Sequence, residues 1–247
     1  GLGPVDVSAD QAEQTRQTFF NFEAALALGG FDYSDVIRTW FYNDDILSWY
    51  GEFNRVRSAH YSDIDFRIGA LPASTAVLGR NPEGAALTVA GWAVRPLRGR
   101  PVAREVISPL QCPAHAYGSS FSRAVELESG GARRLFISGT ASILPDGRTA
   151  WIGDPKRQID LSMEVIEAIL KSRGMSFADV TRASAYFKQS AFHFWFQEWM
   201  THGNLDSKVV VPMHCDICRD DLLFELELDA VVPTGGRDPL VQLTCSG

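Results

Sequence analysis

The stretch from Leu222 to Ala230 reads Leu-Leu-Phe-Glu-Leu-Glu-Leu-Asp-Ala and carries the sharpest chemical signal in the chain. Apolar and acidic residues alternate, the pattern of a strand whose successive side chains point to opposite faces. Leu222, Phe224, Leu226, Leu228 and Ala230 share one face, which should pack under helices. Glu225, Glu227 and Asp229 share the other. Neighbours on one face of a strand lie about 6.5–7 Å apart. Carboxylates that close repel, and burying one raises its pKa further. A carboxyl group held in that way can act as a general acid or base. The plainer reading is a solvated sheet face with its charges paired across strands.

Arg123, Arg219, Arg38 and Arg182 are the candidate partners for an anionic substrate, since a guanidinium offers a carboxylate a planar, two-pronged fork. The alternative for Arg123 is an ion pair with the acidic strand. Ser138-Gly139-Thr140 ends a strand-like run. Gly139 would let backbone approach a ligand, and Ser138 or Thr140 could hydrogen-bond it, unless the segment is a simple strand-end turn. Cys215-Asp216-Ile217-Cys218 has the spacing of half a zinc site, which Cys112, His115 and His214 could complete. Nothing requires those pieces to meet, so the cysteines read as buried small hydrophobes, with Cys215 and Ile217 on one strand face and Asp216 and Cys218 on the other. His60, His193 and His202 fall in helical patterns and read as core or surface residues. No glycine-rich phosphate loop or nucleotide fingerprint occurs, and no metal site is expected.

These residues sit on elements that occur twice. At an offset of 144, Gln14 matches Gln158, Glu23 matches Glu167, Ala24 matches Ala168, Leu26 matches Leu170 and Gly30 matches Gly174. Asp35, Val36, Arg38 and Tyr42 likewise match Asp179, Val180, Arg182 and Tyr186, with no gap. The period suits a duplicated domain rather than a solenoid. Arg38 and Arg182 hold equivalent positions, which fits structural pairing better than catalysis. Each copy has a helix ending at a glycine (Gly30, Gly174), a strand (36–42, 180–187) and a second helix. That helix carries Ile46, Trp49, Phe53 and Val56 in the first copy and the aromatic run 192–199 in the second. Two further strands follow, at 74–79 and 86–94, then at 209–217 and 222–231. The second copy also opens on a hairpin, 122–127 and 134–142, around Ser129-Gly130-Gly131. In the first copy that hairpin is expected to be missing or reduced to residues 1–7, so that the chain begins inside a domain.

The expected organisation is a first domain at 1–96, a linker at 97–107, a second domain at 108–232 and an irregular tail at 233–247. Pro96, Gly99, Pro101 and Arg95, Arg98, Arg100 and Arg104 mark the connector, read as solvated rather than as a ligand-binding arm. The 247 residues carry a net charge of −7 and are 45% hydrophobic, which suits a globular protein and argues against a nucleic-acid partner. An arginine cluster can still reverse the field in one cleft. Four cysteines are too few and too scattered for a disulfide scaffold, and no apolar run is long enough to span a membrane. The expected location is cytoplasmic.

The element order resembles the reactive intermediate deaminase (Rid, or YjgF) family. The carriers are 121–125 (Phe-Ser-Arg-Ala-Val), 135–141 (Leu-Phe-Ile-Ser-Gly-Thr-Ala), Gly153-Asp154 with Gln158, 177–180 (Phe-Ala-Asp-Val) and Glu225-Leu226-Glu227. In the first copy they are Gln14, 33–36 (Tyr-Ser-Asp-Val), Phe53-Asn54 and 81–84 (Asn-Pro-Glu-Gly). The resemblance implies an α+β class: two tandem chorismate-mutase-like domains, each a mixed sheet with two helices packed on one face. It implies a homo-oligomer, a trimer above others, with clefts between neighbouring units. It also implies cofactor-free hydrolysis of a small carboxylate-bearing metabolite, by an enamine or imine deaminase. Glu225 would handle water or a proton, and Arg123 would hold the carboxylate. The arginine used by the family's deaminases falls at about Val210 and about Ala73, so it is absent from both copies. The glutamate position of the first copy is Thr88, which implies one catalytic half and one supporting half. The segments 117–123 (Tyr-Gly-Ser-Ser-Phe-Ser-Arg) and 218–223 (Cys-Arg-Asp-Asp-Leu-Leu) resemble the two-domain chorismatases, which hydrolyse chorismate. That adds Tyr117, Phe121 and Arg219 to the expected cleft and makes chorismate hydrolysis the alternative reaction. A metabolite-binding module without catalysis is the third reading.

Overall fold

The computed structural model describes residues 1–96 and 102–234. The duplication is visible in its backbone. Helix α1 (Gln11–Leu28) starts where the Asp10 carboxylate accepts the Glu13 N–H at 2.8 Å. Helix α3 (Pro155–Ser172) starts with the same device at Asp154, with proline in its first turn. Both helices are left through a glycine with positive φ, Gly30 at 78° and Gly174 at 67°. A single 3-10 turn with a capping box follows in each copy, built by Asp32 and Asp35 and by Ser176 and Asp179.

Strand β1 (Val36–Asn43) then pairs parallel with β2 (Ala73–Leu78) and antiparallel with β3 (Leu87–Ala93). Helix α2 (Ile46–Ser62) lies between β1 and β2 in sequence. In the second copy β7 (Val180–Phe187) pairs parallel with β8 (Val210–His214) and antiparallel with β9 (Phe224–Pro233), with α4 (His193–Gly203) in the matching place. The register slips once in each antiparallel pair, between Val36 and Arg38 and between Val180 and Arg182. A bulge kept at the same position of both copies is a copied feature. The registers equate Thr88 with Glu225, opposite Tyr42 and Tyr186, and Ser74 with Val210. The first copy's arginine position thus lies one residue beyond the expected Ala73.

The second sheet is larger, because β5 (Ala124–Ser129) and β6 (Ala132–Ala141) form the expected hairpin and β6 pairs with β9. In the first copy the opening segment supplies one bridge, Leu2 to Val89. Part of the expected linker differs from expectation. Ala103–Val106 is strand β4, the edge of the second sheet, paired with β5. Arg95 and Arg104 are not simply solvated, since Arg95 bonds Asp32 and Asp35 and Arg104 bonds Glu126. Arg98, Gly99, Arg100, Pro101 and nearly all of the tail lie outside the described residues.

Each sheet carries its helices on one face. Ile159, Met163, Ile166 and Leu170 line the inner stripe of α3 and are fully buried against Leu226, Leu228 and Ala230 of β9. Each such side chain contributes about 1.5–3 kcal/mol. Phe19, Phe22, Trp49, Phe53 and Val56 do the same for the first sheet. The helix-free faces meet at a seam, where Ile37 and Ala73 pack on Val125, Leu127 and Phe136. Two hydrogen bonds from backbone N–H groups close it: Ser122 N–H to Pro72 O at 3.0 Å and Ser74 N–H to the Ser138 hydroxyl Oγ at 2.9 Å. Among the described residues no helix is long and apolar enough to cross a membrane.

Candidate active site at the seam

Strand β9 alternates as its sequence dictates. Phe224, Leu226, Leu228 and Ala230 point into the helix-covered core, and Glu225, Glu227 and Asp229 face the seam. Leu222 is an exception. It precedes the strand and packs with Val77, Ile143 and Ile217 beside the pocket. The acidic face is not solvated, because the first copy covers it: Glu225 is 5% exposed and Glu227 1%.

The two glutamates differ in their partners. Arg38 and Thr75 bond Glu227 from the first copy, and Trp40 Nε1 donates to it at 2.8 Å. Arg182 Nη1 donates at 2.9 Å from the second copy. Burial works to raise the Glu227 pKa, but Arg38 and Arg182 outweigh it and hold the group below its ordinary value. Asp229 takes Arg182 Nε at 2.8 Å. Arg38 and Arg182 are therefore structural partners of the acidic strand. Glu225 has no such partner among the described residues and opens onto a pocket. Burial, and then the charge on Glu227, push its pKa up to about 8 against the pull of Arg123 and Arg38. That shift favours the protonated form near neutral pH.

Room for that carboxyl comes from β6. The β6–β9 register shifts between Ile137 and Thr140, and a methyl placed on Gly139 would lie 2.8 Å from Glu225 Cδ. Gly139 N–H is held by Thr75 Oγ1 at 3.0 Å. The glycine thus makes room for the Glu225 side chain. Ser138 and Thr140 do not reach the pocket. Ser138 Oγ donates to Ser122 O at 2.6 Å while accepting from Ser74, and Thr140 Oγ1 donates to the Ser138 carbonyl at 2.8 Å. Their hydroxyls pin the seam.

The pocket holds about 500 Å³ of free space, its outer part continuous with solvent. Glu225, Arg123, Gly139, Phe121, Tyr117 and Arg219 line it, as expected from the sequence. Tyr50, Arg57, Ser74, Ala76, Ser119 and Cys218 line it too, and they were not expected. Arg123 does not pair with the acidic strand. Its Nε and Nη2 donate to Cys112 O, both at 3.1 Å, and its guanidinium lies 5.3 Å from the Tyr117 ring centre and 5.5 Å from that of Phe121. Arg219 Nη1 donates to Gly147 O at 2.8 Å, and its guanidinium lies 5.2 Å from the Tyr117 ring centre. Arg57 is 1% exposed, packed over Phe53 at 4.9 Å, and bonds Asn54 Oδ1 at 2.5 Å. Its Nε is buried without a partner. None of these three arginines forms an ion pair among the described residues.

Arg57 left a readable trace in the sequence. It falls at the i+4 position between Phe53 and Tyr61 on the buried stripe of α2, where a charge without a purpose is costly. The first copy therefore lines the pocket directly and does more than support it. Cys218, expected as a buried small hydrophobe, lines the pocket. The strand expected over 209–217 ends at His214, so no alternation separates the two cysteines, and both pack in the cluster beside the pocket. Burial and the Glu225 charge push the Cys218 thiol up to about 12, so it is no thiolate nucleophile.

Two α+β units in one chain, meeting at a seam that buries an acid among arginines, define a tandem protein of Rid-like fold. No family model matches the chain. It is 28% identical over 252 residues to a 3-hydroxybenzoate synthase of Streptomyces hygroscopicus, covering 91% of this chain and 71% of that protein. It is also 28% identical over 225 residues to a chorismatase of Streptomyces rapamycinicus, covering 81% of this chain and 65% of that one. A chorismatase crystal structure superposes with a TM-score of 0.73 at 26% identity, over 89% of this chain and 70% of the other. The chain is a tandem protein similar to chorismatases, and it spans 65% to 71% of these relatives' lengths.

Proposed function

We propose that the pocket hydrolyses the enol-ether bond of chorismate, a small dicarboxylate, releasing pyruvate. The observation that carries this is one buried carboxyl, Glu225, with its pKa pushed up to about 8, in a pocket lined by three arginines that form no ion pair among the described residues. In a chain of net charge −7 such a pocket is a local positive well, suited to two carboxylates. An enol ether hydrolyses by protonation of its terminal methylene carbon, which demands an acid still protonated near pH 7. Glu225 gives its proton to that carbon. Water adds to the resulting oxocarbenium carbon and returns a proton to Glu225, and the hemiketal collapses to pyruvate and the ring alcohol. No redox partner is needed. Arg57, Arg123 and Arg219 bind the carboxylates, and Tyr117 and Phe121 wall the ring.

Enamine or imine deamination has only the shared fold to support it, and Val210 and Ser74 stand where that reaction's arginine would be. The cleft that the Rid resemblance expects between neighbouring subunits has its counterpart here within one chain, so this reading needs no trimer. The test is incubation with chorismate and, separately, with an imine panel, reading pyruvate and ammonia. Pyruvate from chorismate, lost in Glu225→Gln with the fold retained, supports the reading. Ammonia release alone, or tight chorismate binding without turnover, defeats it. Chromatography of the ring product then distinguishes the diene diol from a hydroxybenzoate formed by loss of water.

A further inference from the structure

We propose that Glu227, clamped between Arg38 and Arg182, is a positioning residue that fixes both the place and the charge state of the Glu225 carboxyl. The inference rests on the reading of Glu225 as proton donor.

Two routes run from Glu227 to Glu225. The first is mechanical. Thr75 Oγ1 bonds Glu227 and also holds Gly139 N–H at 3.0 Å, and Gly139 is the surface against which the Glu225 carboxyl rests. The second is electrostatic. Both glutamates lie on one face of β9 with a single residue between them, about 6.5–7 Å apart along the strand. Four donors converge on Glu227, from Arg38, Arg182, Trp40 and Thr75, so it is buried as an anion.

The cluster is balanced. Arg38 and Arg182 carry two positive charges, Glu227 and Asp229 two negative ones, and Arg182 bridges both carboxylates. Neutralising Glu227 leaves it net positive, and neutralising Arg182 leaves it net negative. Other ionisable groups also face Glu225. Tyr186 lies opposite it on β7, with Tyr42 next to Tyr186. Arg123 and Tyr117 come from the segment before β5, and Arg57 and Tyr50 from α2. Cys215, Cys218 and Arg219 come from the segment between β8 and β9. Neither substitution alters these groups, so the cluster's net charge is the variable. Removing either partner of a purely mechanical clamp would loosen the seam without opposite effects on Glu225.

The experiment follows the Glu225 side-chain carboxyl by carbon-13 NMR in glutamate-labelled protein, assigned by its loss in Glu225→Gln. The Glu227→Gln variant should lower the titration midpoint by about one pH unit, and Arg182→Gln should raise it by a similar amount. In turnover, the alkaline limb of kcat/KM should move the same two ways. A midpoint unmoved in both variants, or moved in one direction by both, overturns the proposal. Arg182 is 38% exposed, so Arg182→Gln is the variant expected to fold. If Glu227→Gln does not fold, an unmoved or lowered midpoint in Arg182→Gln alone overturns the proposal. The NMR readout requires no turnover. Opposite shifts in a protein that leaves chorismate intact would therefore sink the proposed reaction and keep this inference.

Discussion

Replacing Gly139 by alanine adds one methyl group at the point where β6 makes room for the proposed acid. The added carbon would lie 2.8 Å from Glu225 Cδ and 3.3 Å from Thr75 Cγ2. Carbon atoms pack at about 3.5–4.0 Å, so the carboxyl must retreat by about 1 Å. A displacement of that size at a reacting group costs on the order of 100-fold in rate, about 2.7 kcal/mol of barrier. Gly139 does not use a positive φ, so alanine meets no backbone strain. The remaining cost is overpacking, about 1–3 kcal/mol of stability. Steady-state pyruvate release from chorismate should show kcat down by roughly two orders of magnitude. KM should change far less, because the arginines stay in place. A kcat within about twofold of wild type, with an unchanged melting temperature, would refute the placement of Glu225 against Gly139.

Three further outcomes follow from the same geometry. Arg57→Gln should weaken chorismate binding to the Glu225→Gln protein by roughly 10- to 100-fold in calorimetric titration, the worth of one charge-assisted bond of about 1.5–3 kcal/mol. Arg38→Met leaves Glu227 buried beside one guanidinium instead of two and should cost about 3–5 kcal/mol in urea unfolding. Glu225 has its pKa raised from 4.5 to about 8, so its protonation contributes stability that is full below pH 4.5 and is lost as pH rises through 8. That contribution is on the order of 4–5 kcal/mol. Glu225→Gln should therefore melt above wild type at pH 9, with the gap closing by pH 5. A gap that does not change with pH removes the basis for a protonated Glu225.

The sequence exposed the fold more fully than the site. Identities such as Gly30 with Gly174 and Arg38 with Arg182 follow backbone demands, a left-handed helix exit and a bulged strand, which every copy of the fold must meet. Alternation along β9 likewise gave the facing of Glu225. Burial of that face was not legible, because it depends on which surface of the first copy covers it. The same gap explains the errors at Ser138 and Thr140. A strand-end serine beside a glycine looks the same whether it meets a ligand or Ser74 N–H, and only the docked partner decides. Arg57 was legible in principle, as a charge on the apolar stripe of α2, but the pocket it faces takes its other arginines from the second copy, and that docking is not written in either segment alone.

The duplication reads differently once the seam is known. Two equal copies with equal sites would need Glu225 and Thr88 to do the same work, and a threonine hydroxyl does not give up its proton at neutral pH. On the proposed reading the copies have instead divided the parts of a single site. The second supplies the acid, the glycine that admits it and Arg123. The first supplies Arg57, Tyr50 and Thr75, together with Arg38, the repeat equivalent of Arg182. Two arginines that began at one position of one ancestral unit now grip the same carboxylate from opposite sheets. That convergence explains why a strand bearing three carboxylates can be buried at all. The second copy alone offers Glu227 one guanidinium, and the other arrives only when the first sheet docks. Ionisation of Glu227 is therefore linked to closure of the seam, and closure is also what buries Glu225 and raises its pKa. Assembly of the two halves and the acidity of the proposed catalytic group follow from the same contact.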